Sequence, residues 1–269
     1  MSSQVFELDY ASYPLITFAI HDGHDIRPEL AEKYNLSDKE RLREEDPFTR
    51  AFTEVSPNRM VGSRSRFEVD LNRPPSKAVY LKPEDAWGLE VWKKKPTKKE
   101  IERSMKIYKA FYDHVHTLIT TTIEQFGFAL IYDIHSYNYK REGPRKEADP
   151  DENPEINLGT EFNDLAIWEP VVGSMAASIR KADYFGRSLD VRENVKFGGG
   201  YFPEWIYEHF GSRCLCISIE FKKIFMSEWK GKAHREKVER LKEILAGTVE
   251  PTLKAARIVA KQQEGWVKK

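Results

Sequence analysis

Two histidines and a glutamate each follow an apolar run of the sequence. His21 comes directly after one run, His135 follows a second run and Asp133, and Glu220 ends a third. Each run is typical of a buried strand, and in an open α/β sheet catalytic groups collect at the carboxyl ends of strands. One such histidine is more often structural, but two with a glutamate favour a one-zinc hydrolase, in which a carboxylate takes a proton from water. The runs are residues 14–20, 128–132 and 214–219.

A catalytic zinc site needs a third protein ligand, and the sequence offers two sources. Glu45 and Asp46 precede Pro47, and two histidines with one carboxylate form a common catalytic zinc set. The same carboxylates would also suit a helix N-terminus, where Pro47 fits the first turn. His24 has a ligand-like spacing from His21, although a sharp loop explains that spacing equally well. We favour a carboxylate from Glu45 or Asp46, and the choice among the three residues stays open.

An arginine-rich segment could bind a substrate carboxylate. Residues 66–71 alternate in polarity and predict a half-buried strand, with Arg66, Asp70 and Arg73 at or near it. A guanidinium group recognises a carboxylate through two parallel hydrogen bonds. The structural alternative is an ion pair of either arginine with Asp70, and composition alone does not separate the two.

The elements that must position these residues belong to an α/β protein. Apolar runs separated by helical stretches predict a three-layer αβα architecture with a mixed central sheet, in one domain over residues 1–269. The clearest helix covers residues 98–126, where Thr97 and Glu100 fit a capping box.

Two further helices are predicted at residues 168–180 and 233–260, the second interrupted near Gly247 and Pro251. Residues 83–97 and 140–160 predict long loops of the kind that cover functional sites. Residues 140–160 are charged and rich in proline and glycine, and residues 83–97 carry Trp87, Trp92, a triple lysine and Pro96.

The composition excludes several classes of protein. Lys+Arg and Asp+Glu number 43 each, so no net field favours nucleic acid or an anionic membrane. The apolar runs are too short for a transmembrane helix, and the first residues lack the features of a signal peptide. Cys214 and Cys216 lie two apart in one predicted strand, a poor geometry for a disulfide. We therefore expect a reduced, cytoplasmic setting.

Four blocks of sequence carry a resemblance to a known family. They are Ile-His-Asp-Gly at 20–23, Arg-Phe-Glu-Val-Asp-Leu-Asn-Arg-Pro at 66–74, Asp-Ile-His-Ser at 133–136, and a final block from Gly-Gly-Tyr at 199–201 to Ile-Glu at 219–220. In this order the blocks resemble the N-formylglutamate amidohydrolase family, within the wider group of zinc-carboxypeptidase-like hydrolases. The resemblance implies a phosphorylase/hydrolase-like fold of the zinc-carboxypeptidase kind.

The same resemblance implies an activity and roles for individual residues. It implies a hydrolase with one zinc ion that cleaves a small acyl group from an N-acyl amino acid such as N-formylglutamate. His21 and His135 would bind zinc with Glu45 or Asp46, and Glu220 would be the acid/base. Arg66 would join the catalytic set. Four further residues would contact the substrate: Asn72, Arg73, Ser136 and Tyr201.

Two alternatives share this sequence evidence. One is a zinc carboxypeptidase or peptidoglycan-peptide amidase, in which residues 83–97 would line a longer cleft. The other is a non-catalytic binding protein on the same fold. Each predicts a small N-acyl amino acid or a short peptide as the partner, without nucleic acid or membrane, and the sequence leaves the oligomeric state open.

Overall fold

The centre of the molecule is a seven-stranded sheet. The computed structural model describes residues 5–146, 148–263 and 265–266. The strands are β1 (Phe6–Asp9), β2 (Leu15–Ala19), β3 (Arg59–Gly62), β4 (Ala129–Tyr137), β5 (Ile156–Gly159), β6 (Val191–Glu193) and β7 (Cys214–Lys222), and a separate hairpin pairs β8 (Met226–Ser227) with β9 (Lys232–Ala233).

The sheet is mixed, as the sequence predicts. Its strand order is β1-β3-β2-β4-β7-β5-β6. The four strands β3, β2, β4 and β7 run parallel to one another, whereas β1 pairs antiparallel with β3 and β5 pairs antiparallel with β7. The carboxyl ends of β2, β4 and β7 therefore lie at one edge of the sheet, side by side.

Helices cover both faces of the sheet and complete the predicted αβα architecture. The helices are α1 (Pro28–Ala31), α2 (Asp38–Glu44), α3 (Arg50–Thr53), α4 (Lys98–Phe126), α5 (Leu165–Lys181), α6 (Tyr201–Phe210) and α7 (Arg235–Gln262). Alternate residues of β4 face opposite layers: Leu130 packs in the cluster that contains α5 and α7, and Ile131 packs in the cluster that contains α4 and α6. Both faces of β4 are buried, which explains its continuous apolar run.

Helix α4 has the predicted bounds because its ends are specified locally. The Thr97 side chain accepts a hydrogen bond from the Glu100 backbone, and the Glu100 carboxylate accepts one from the Thr97 backbone. This reciprocal pair satisfies two orphan donors of the first turn. Gly127, with φ of 83°, ends the helix in a left-handed conformation that favours glycine.

Three sequence expectations about elements are wrong. Helix α7 is continuous through Gly247 and Pro251. The buried face of the helix packs against the core around these two residues. Residues 66–71 form turns rather than a strand. In a strand Phe67 and Val69 would face the same side, but the two side chains are buried in different hydrophobic clusters. The predicted loop at 140–160 contains β5, which begins at Ile156.

Other expectations agree with the structure or stay predictions. Cys214 and Cys216 are both free and buried. Within the described part of the chain, no helix has the length and apolar character needed to cross a membrane. The assignment of one domain to the whole chain stays a prediction.

Candidate metal centre

His21, Asp46 and His135 form a buried cluster at the carboxyl edge of the sheet. Nδ1 of His135 lies 2.9 Å from Oδ2 of Asp46, and Nδ1 of His21 lies 3.5 Å from the same oxygen. One donor atom from each residue lies within 4.8 Å of the other two. The side chains of the three residues are 2–5% exposed. A cation among them would be shielded from bulk water.

Three separate elements bring these side chains together. His21 lies two residues after the end of β2, and His135 belongs to β4, the neighbouring parallel strand. Asp46 comes after α2, and its backbone N–H donates to the carbonyl of His21 at 3.0 Å. The carbonyl of Asp46 in turn accepts a hydrogen bond from the Thr49 hydroxyl at 2.6 Å. The carboxylate is thus fixed at its backbone on both sides.

A second carboxylate lies behind each histidine. Nε2 of His21 lies 2.8 Å from Asp70, and Nε2 of His135 lies 3.0 Å from Asp133. Metal-binding histidines almost always present the other ring nitrogen to such a group, which fixes the tautomer and the ring orientation. Both rings therefore turn Nδ1 towards Asp46. Nδ1 of His21 is buried and makes no hydrogen bond within the described part of the chain.

The charges of the cluster favour a cation at its centre. Burial alone would raise the pKa of Asp46, but His135 and His21 lower it below its usual range. Burial likewise lowers the pKa of His135, and the carboxylates of Asp133 and Asp46 outweigh burial and raise it well above the usual value. The carboxylates of Asp133 and Asp46 thus stabilise a positive charge at the imidazole. A metal ion bound here would interact with the same carboxylates.

Glu220 lies beside this cluster on the next strand. It pairs in register with His135 across β4 and β7, so the two side chains project from the same face of the sheet. Burial, with the nearby carboxylates of Asp46 and Asp133, raises the pKa of Glu220 to about 7, against the lowering effect of His135. A carboxylate with this pKa can exchange a proton near neutral pH.

The cluster opens into a cavity of about 520 Å³. Every residue that the sequence predicts to contact substrate or assist catalysis lines this cavity: Arg66, Asn72, Arg73, Ser136, Tyr201 and Glu220. A cluster of side chains that could hold a metal ion, a buried carboxylate with a raised pKa and a polar cavity therefore coincide. This arrangement suits hydrolysis of a small polar molecule.

The sequence matches the N-formylglutamate amidohydrolase family over residues 13–226. This chain belongs to that family. The matched span contains the cluster of His21, Asp46 and His135, Glu220 and all four blocks of the sequence resemblance. The family consists of amide-cleaving hydrolases.

Solved structures with a similar fold include the following two. An N-formylglutamate amidohydrolase from Ralstonia eutropha JMP134 superposes with a TM-score of 0.73 at 17% identity, over 96% of this chain and 99% of that one. A gene product from Agrobacterium tumefaciens superposes with a TM-score of 0.65 at 18% identity, over 92% and 95% of the two chains. Among curated proteins, the sequence has no match.

Glu45, one of the two predicted carboxylate ligands, lies outside the cluster in this family member. One of its oxygens lies 2.5 Å from Nδ1 of His24, and the other accepts a hydrogen bond from Ser65. These two contacts hold both Glu45 and His24, the remaining candidate ligand, away from the three grouped side chains. Asp46 is the carboxylate that the structure groups with the two histidines.

Arg66 and Arg73 occupy different environments. Nη2 of Arg66 donates to Asp70 at 2.9 Å, and its guanidinium lies 4.9 Å from the centre of the Trp87 ring. The ion pair with Asp70 that the sequence allowed is therefore formed by Arg66. The Arg73 side chain has no hydrogen-bond or ion-pair partner among residues that the structure describes.

Asn72 links the arginine-rich segment to α6. Its Oδ1 accepts a hydrogen bond from the backbone of Phe202 at 2.8 Å, near the first turn of the helix. A Cβ on Gly200 would lie 2.4 Å from the Asn72 amide nitrogen. Glycine at position 200 thus lets the Asn72 amide approach the start of α6. Tyr201, the first residue of α6, lines the cavity.

Sequence reasoning did not assign roles to several residues of this site. Asp133 lies two residues before His135 in a strand, so the period of two could have placed both on one face. Asp70 could not be placed in this way, because it reaches His21 from a turn. Further cavity residues without a predicted role come from distant segments: Glu44, Trp87, Asn138, Arg141, Glu161, Phe162, Phe197, Glu204 and Lys223.

Proposed function

We propose that this protein is a zinc-dependent amidohydrolase that removes a small acyl group, formyl or a similar one, from an N-acyl amino acid. The observation that carries the proposal is the buried cluster of His21, Asp46 and His135 beside Glu220, in a member of an amidohydrolase family. The substrate is a small molecule, in keeping with the size of the cavity.

The residues present fit one zinc ion. Two imidazoles and one carboxylate are a common catalytic zinc set. The unpartnered Nδ1 of His21 and the carboxylates behind both rings support a cation at this position. Held by His21, Asp46 and His135, zinc would act as a Lewis acid towards a carbonyl group and would lower the pKa of water at the site to about 7.

Glu220 moves the proton in this scheme. Its carboxylate takes a proton from the attacking water and returns it to the nitrogen of the leaving amine. With its pKa raised to about 7 by burial and the neighbouring carboxylates, one group can serve as base and then as acid at neutral pH. The register with His135 keeps this carboxylate next to the metal ligands.

Arginines bind the two negatively charged ends of the reacting molecule. Arg66, oriented by Asp70 and stacked near Trp87, stabilises negative charge that develops on the acyl oxygen. Arg73, whose guanidinium is unpartnered within the described residues, binds the carboxylate of the amino acid. Asn72, Ser136 and Tyr201 complete the polar lining around the substrate.

Metal content and activity test the proposal together. We expect the purified protein to contain one zinc per chain and to hydrolyse members of a panel of N-formyl and N-acetyl amino acids. Chelation should abolish turnover, and added zinc should restore it. A folded, metal-free protein that no divalent ion activates would contradict the proposal.

A dipeptide with a free carboxylate belongs in the same panel. A carboxypeptidase or peptide amidase would cleave it faster than any N-acyl amino acid. Trp87 is the residue of the 83–97 segment that lines the cavity among those described. The site therefore presents little of this segment to a longer peptide, and we expect the N-acyl amino acid to be the better substrate.

A further inference from the structure

A buried lysine lies at the edge of the sheet that carries His135 and Glu220. Lys223 directly follows β7, three residues after Glu220, and its backbone N–H donates to the carbonyl of Tyr137 at the end of β4. The residue lines the cavity but is only 1% exposed. Lysine is almost never buried to this degree unless its ammonium group is paired. The partners of this group therefore indicate what the residue does.

All three donors of the ammonium group are used inside the protein. Nζ of Lys223 donates to the backbone carbonyls of Arg43 and Glu45, each at 2.7 Å, and to Oδ1 of Asn138 at 3.0 Å. An ammonium group has three hydrogens to donate. Because all three are used, Lys223 has no donor left for a substrate.

Two of these acceptors belong to the end of α2. Arg43 lies in the last turn of this helix, and Glu45 is the residue that follows the helix. The last carbonyls of a helix lack partners within it, and a cation beside them is favourable. The side-chain nitrogen of Asn138 also donates to the Arg43 carbonyl, at 2.8 Å. Lys223 follows β7 and Asn138 follows β4, so the two side chains tie the end of α2 to the sheet.

The carbonyl of Glu45 and the N–H of Asp46 belong to one peptide group. The carbonyl accepts from Lys223, and the N–H donates to the carbonyl of His21 at 3.0 Å. A peptide group is planar, so these two hydrogen bonds fix its orientation from both sides. The direction in which the Asp46 side chain leaves the backbone depends on that orientation. Lys223 thus acts on the candidate metal centre through the backbone.

We propose that Lys223 is a positioning residue for Asp46, and that its hydrogen bond to the Glu45 carbonyl keeps the Asp46 carboxylate beside His21 and His135. The inference rests on the proposed function, because it treats Asp46 as a zinc ligand. A purely electrostatic role would have the opposite effect. The ammonium group is a positive charge that interacts with Asp46, and its removal alone would favour a second cation at this place. The sign of the change in zinc affinity therefore separates the two roles.

Two adjacent lysines at the end of β7 provide a matched pair of substitutions. Lys223→Met removes the ammonium group from a side chain of similar length, and zinc affinity should fall about 10- to 100-fold, the usual effect of changing an outer-shell partner. Lys222 donates to the Asn153 carbonyl at 3.0 Å and lies outside the cavity lining, so Lys222→Met should bind zinc as the unchanged protein does. Competition with a chelator of known affinity measures both. Unchanged or tighter binding in folded Lys223→Met would overturn the inference.

Two further variants examine the same contacts. Lys223→Arg keeps a charge and donors, so it should bind zinc more tightly than Lys223→Met. Asn138→Ala removes one acceptor of the ammonium group, and zinc affinity should fall by a smaller factor. If Lys223→Met does not fold, these variants decide the question. Folded Asn138→Ala and Lys223→Arg proteins that both bind zinc as the unchanged protein does would then contradict the inference.

A double-mutant cycle tests whether Lys223 acts through Asp46. In an Asp46→Asn background, Lys223→Met should have little further effect on zinc affinity, because the carboxylate that Lys223 positions is already absent. The two substitutions are then not additive, as expected for residues that act on one contact. Equal fold losses in both backgrounds would show that Lys223 acts independently of Asp46, and this result would also overturn the inference.

Hydrogen exchange of metal-free protein keeps the inference separate from the proposed function. In Lys223→Met the Asp46 N–H should exchange about tenfold faster or more, as expected for the loss of a hydrogen bond from a charged group. Lys222→Met should leave that rate unchanged. If the unchanged protein binds no zinc, the proposed function fails, and this exchange rate alone decides whether Lys223 positions Asp46. If zinc binding and turnover occur but Lys223→Met changes neither zinc affinity nor the exchange rate, the proposed function stands and the inference fails.

Discussion

At the scale of single residues, the adjacent carboxylates Glu45 and Asp46 have different partners, and this difference predicts different effects of two matched substitutions. Asp46→Asn removes the negative charge from the group of His21 and His135, so zinc affinity should fall by more than about 100-fold, beyond the usual effect of changing an outer-shell partner. Glu45→Gln should retain stoichiometric zinc. Competition with a chelator of known affinity measures both.

The reverse order of affinities would show that the ligand is Glu45. Because each substitution is nearly isosteric, circular dichroism and thermal unfolding can confirm that both variants are folded. His24→Ala, which removes the imidazole that contacts Glu45, gives a further control and should bind zinc as the unchanged protein does.

Substitution of Glu220 distinguishes an enzyme from a non-catalytic binding protein with the same fold. Glu220→Gln cannot accept a proton, so turnover should fall by roughly 10²–10⁴-fold, the usual contribution of a positioned proton shuttle. Zinc content and substrate affinity should change little, because Glu220 is not one of the three clustered side chains. Kinetics and metal analysis of the same sample check this. Unchanged turnover would favour the non-catalytic alternative or a different base.

The sequence predicts those residues of this site that follow an apolar run typical of a strand. His21, His135 and Glu220 were predicted because each follows an apolar run, and parallel strand ends meet at one edge. The choice of Asp46 over Glu45 could not be made, because it depends on which of two adjacent side chains turns inward. Asp70 could not be assigned to His21, since the two residues are 49 positions apart and Asp70 lies in an irregular segment.

At the scale of elements, the start of α6 depends on a residue distant in sequence. Asn72 Oδ1 accepts the hydrogen bond of the Phe202 backbone, so Asn72→Ala should lower the free energy of unfolding by about 1 kcal/mol, as loss of a helix cap does. Asn72→Asp retains an acceptor and should lose less. Urea unfolding compares the two variants, and equal losses would argue against a capping role.

Elements with local signals were predictable, and those defined by packing were not. Helix α4 has a capping box and a terminal glycine, so the sequence gives both of its ends. Helix α7 passes through Pro251 because tertiary packing outweighs the local cost of proline. Residues 66–71 alternate in polarity like a strand, but their buried apolar side chains enter two separate clusters from turns.

At the scale of the whole molecule, metal binding and stability should depend together on pH. The folded pKa of His135 is raised, against the effect of burial, by Asp133 and Asp46. In metal-free protein the stability that this imidazolium contributes is therefore present below about pH 6.5, its unfolded pKa, and is lost as pH rises through the folded value. Zinc competes with the same proton, so its binding strengthens in the same direction.

The difference in stability between zinc-loaded and chelator-treated protein should therefore increase with pH. With free zinc at 100 times its dissociation constant, binding to the folded state stabilises by about 2.7 kcal/mol. Urea unfolding of both forms at several pH values measures this difference. In Asp46→Asn the difference should nearly vanish at every pH. If the difference in the unchanged protein does not vary with pH, zinc does not compete with the proton on His135.

The register of β4 and β7 has a consequence for how this enzyme family can diversify. Hydrogen-bonded parallel strands lie roughly 4.8 Å apart, so the sheet itself fixes the separation between the backbone of His135 and that of Glu220. Central strands are among the last parts of a protein to open. By contrast, Asn72, Arg73 and Tyr201, which line the same cavity, lie outside the strands. The lining outside the strands can therefore change between family members without moving the backbone of His135 relative to that of Glu220.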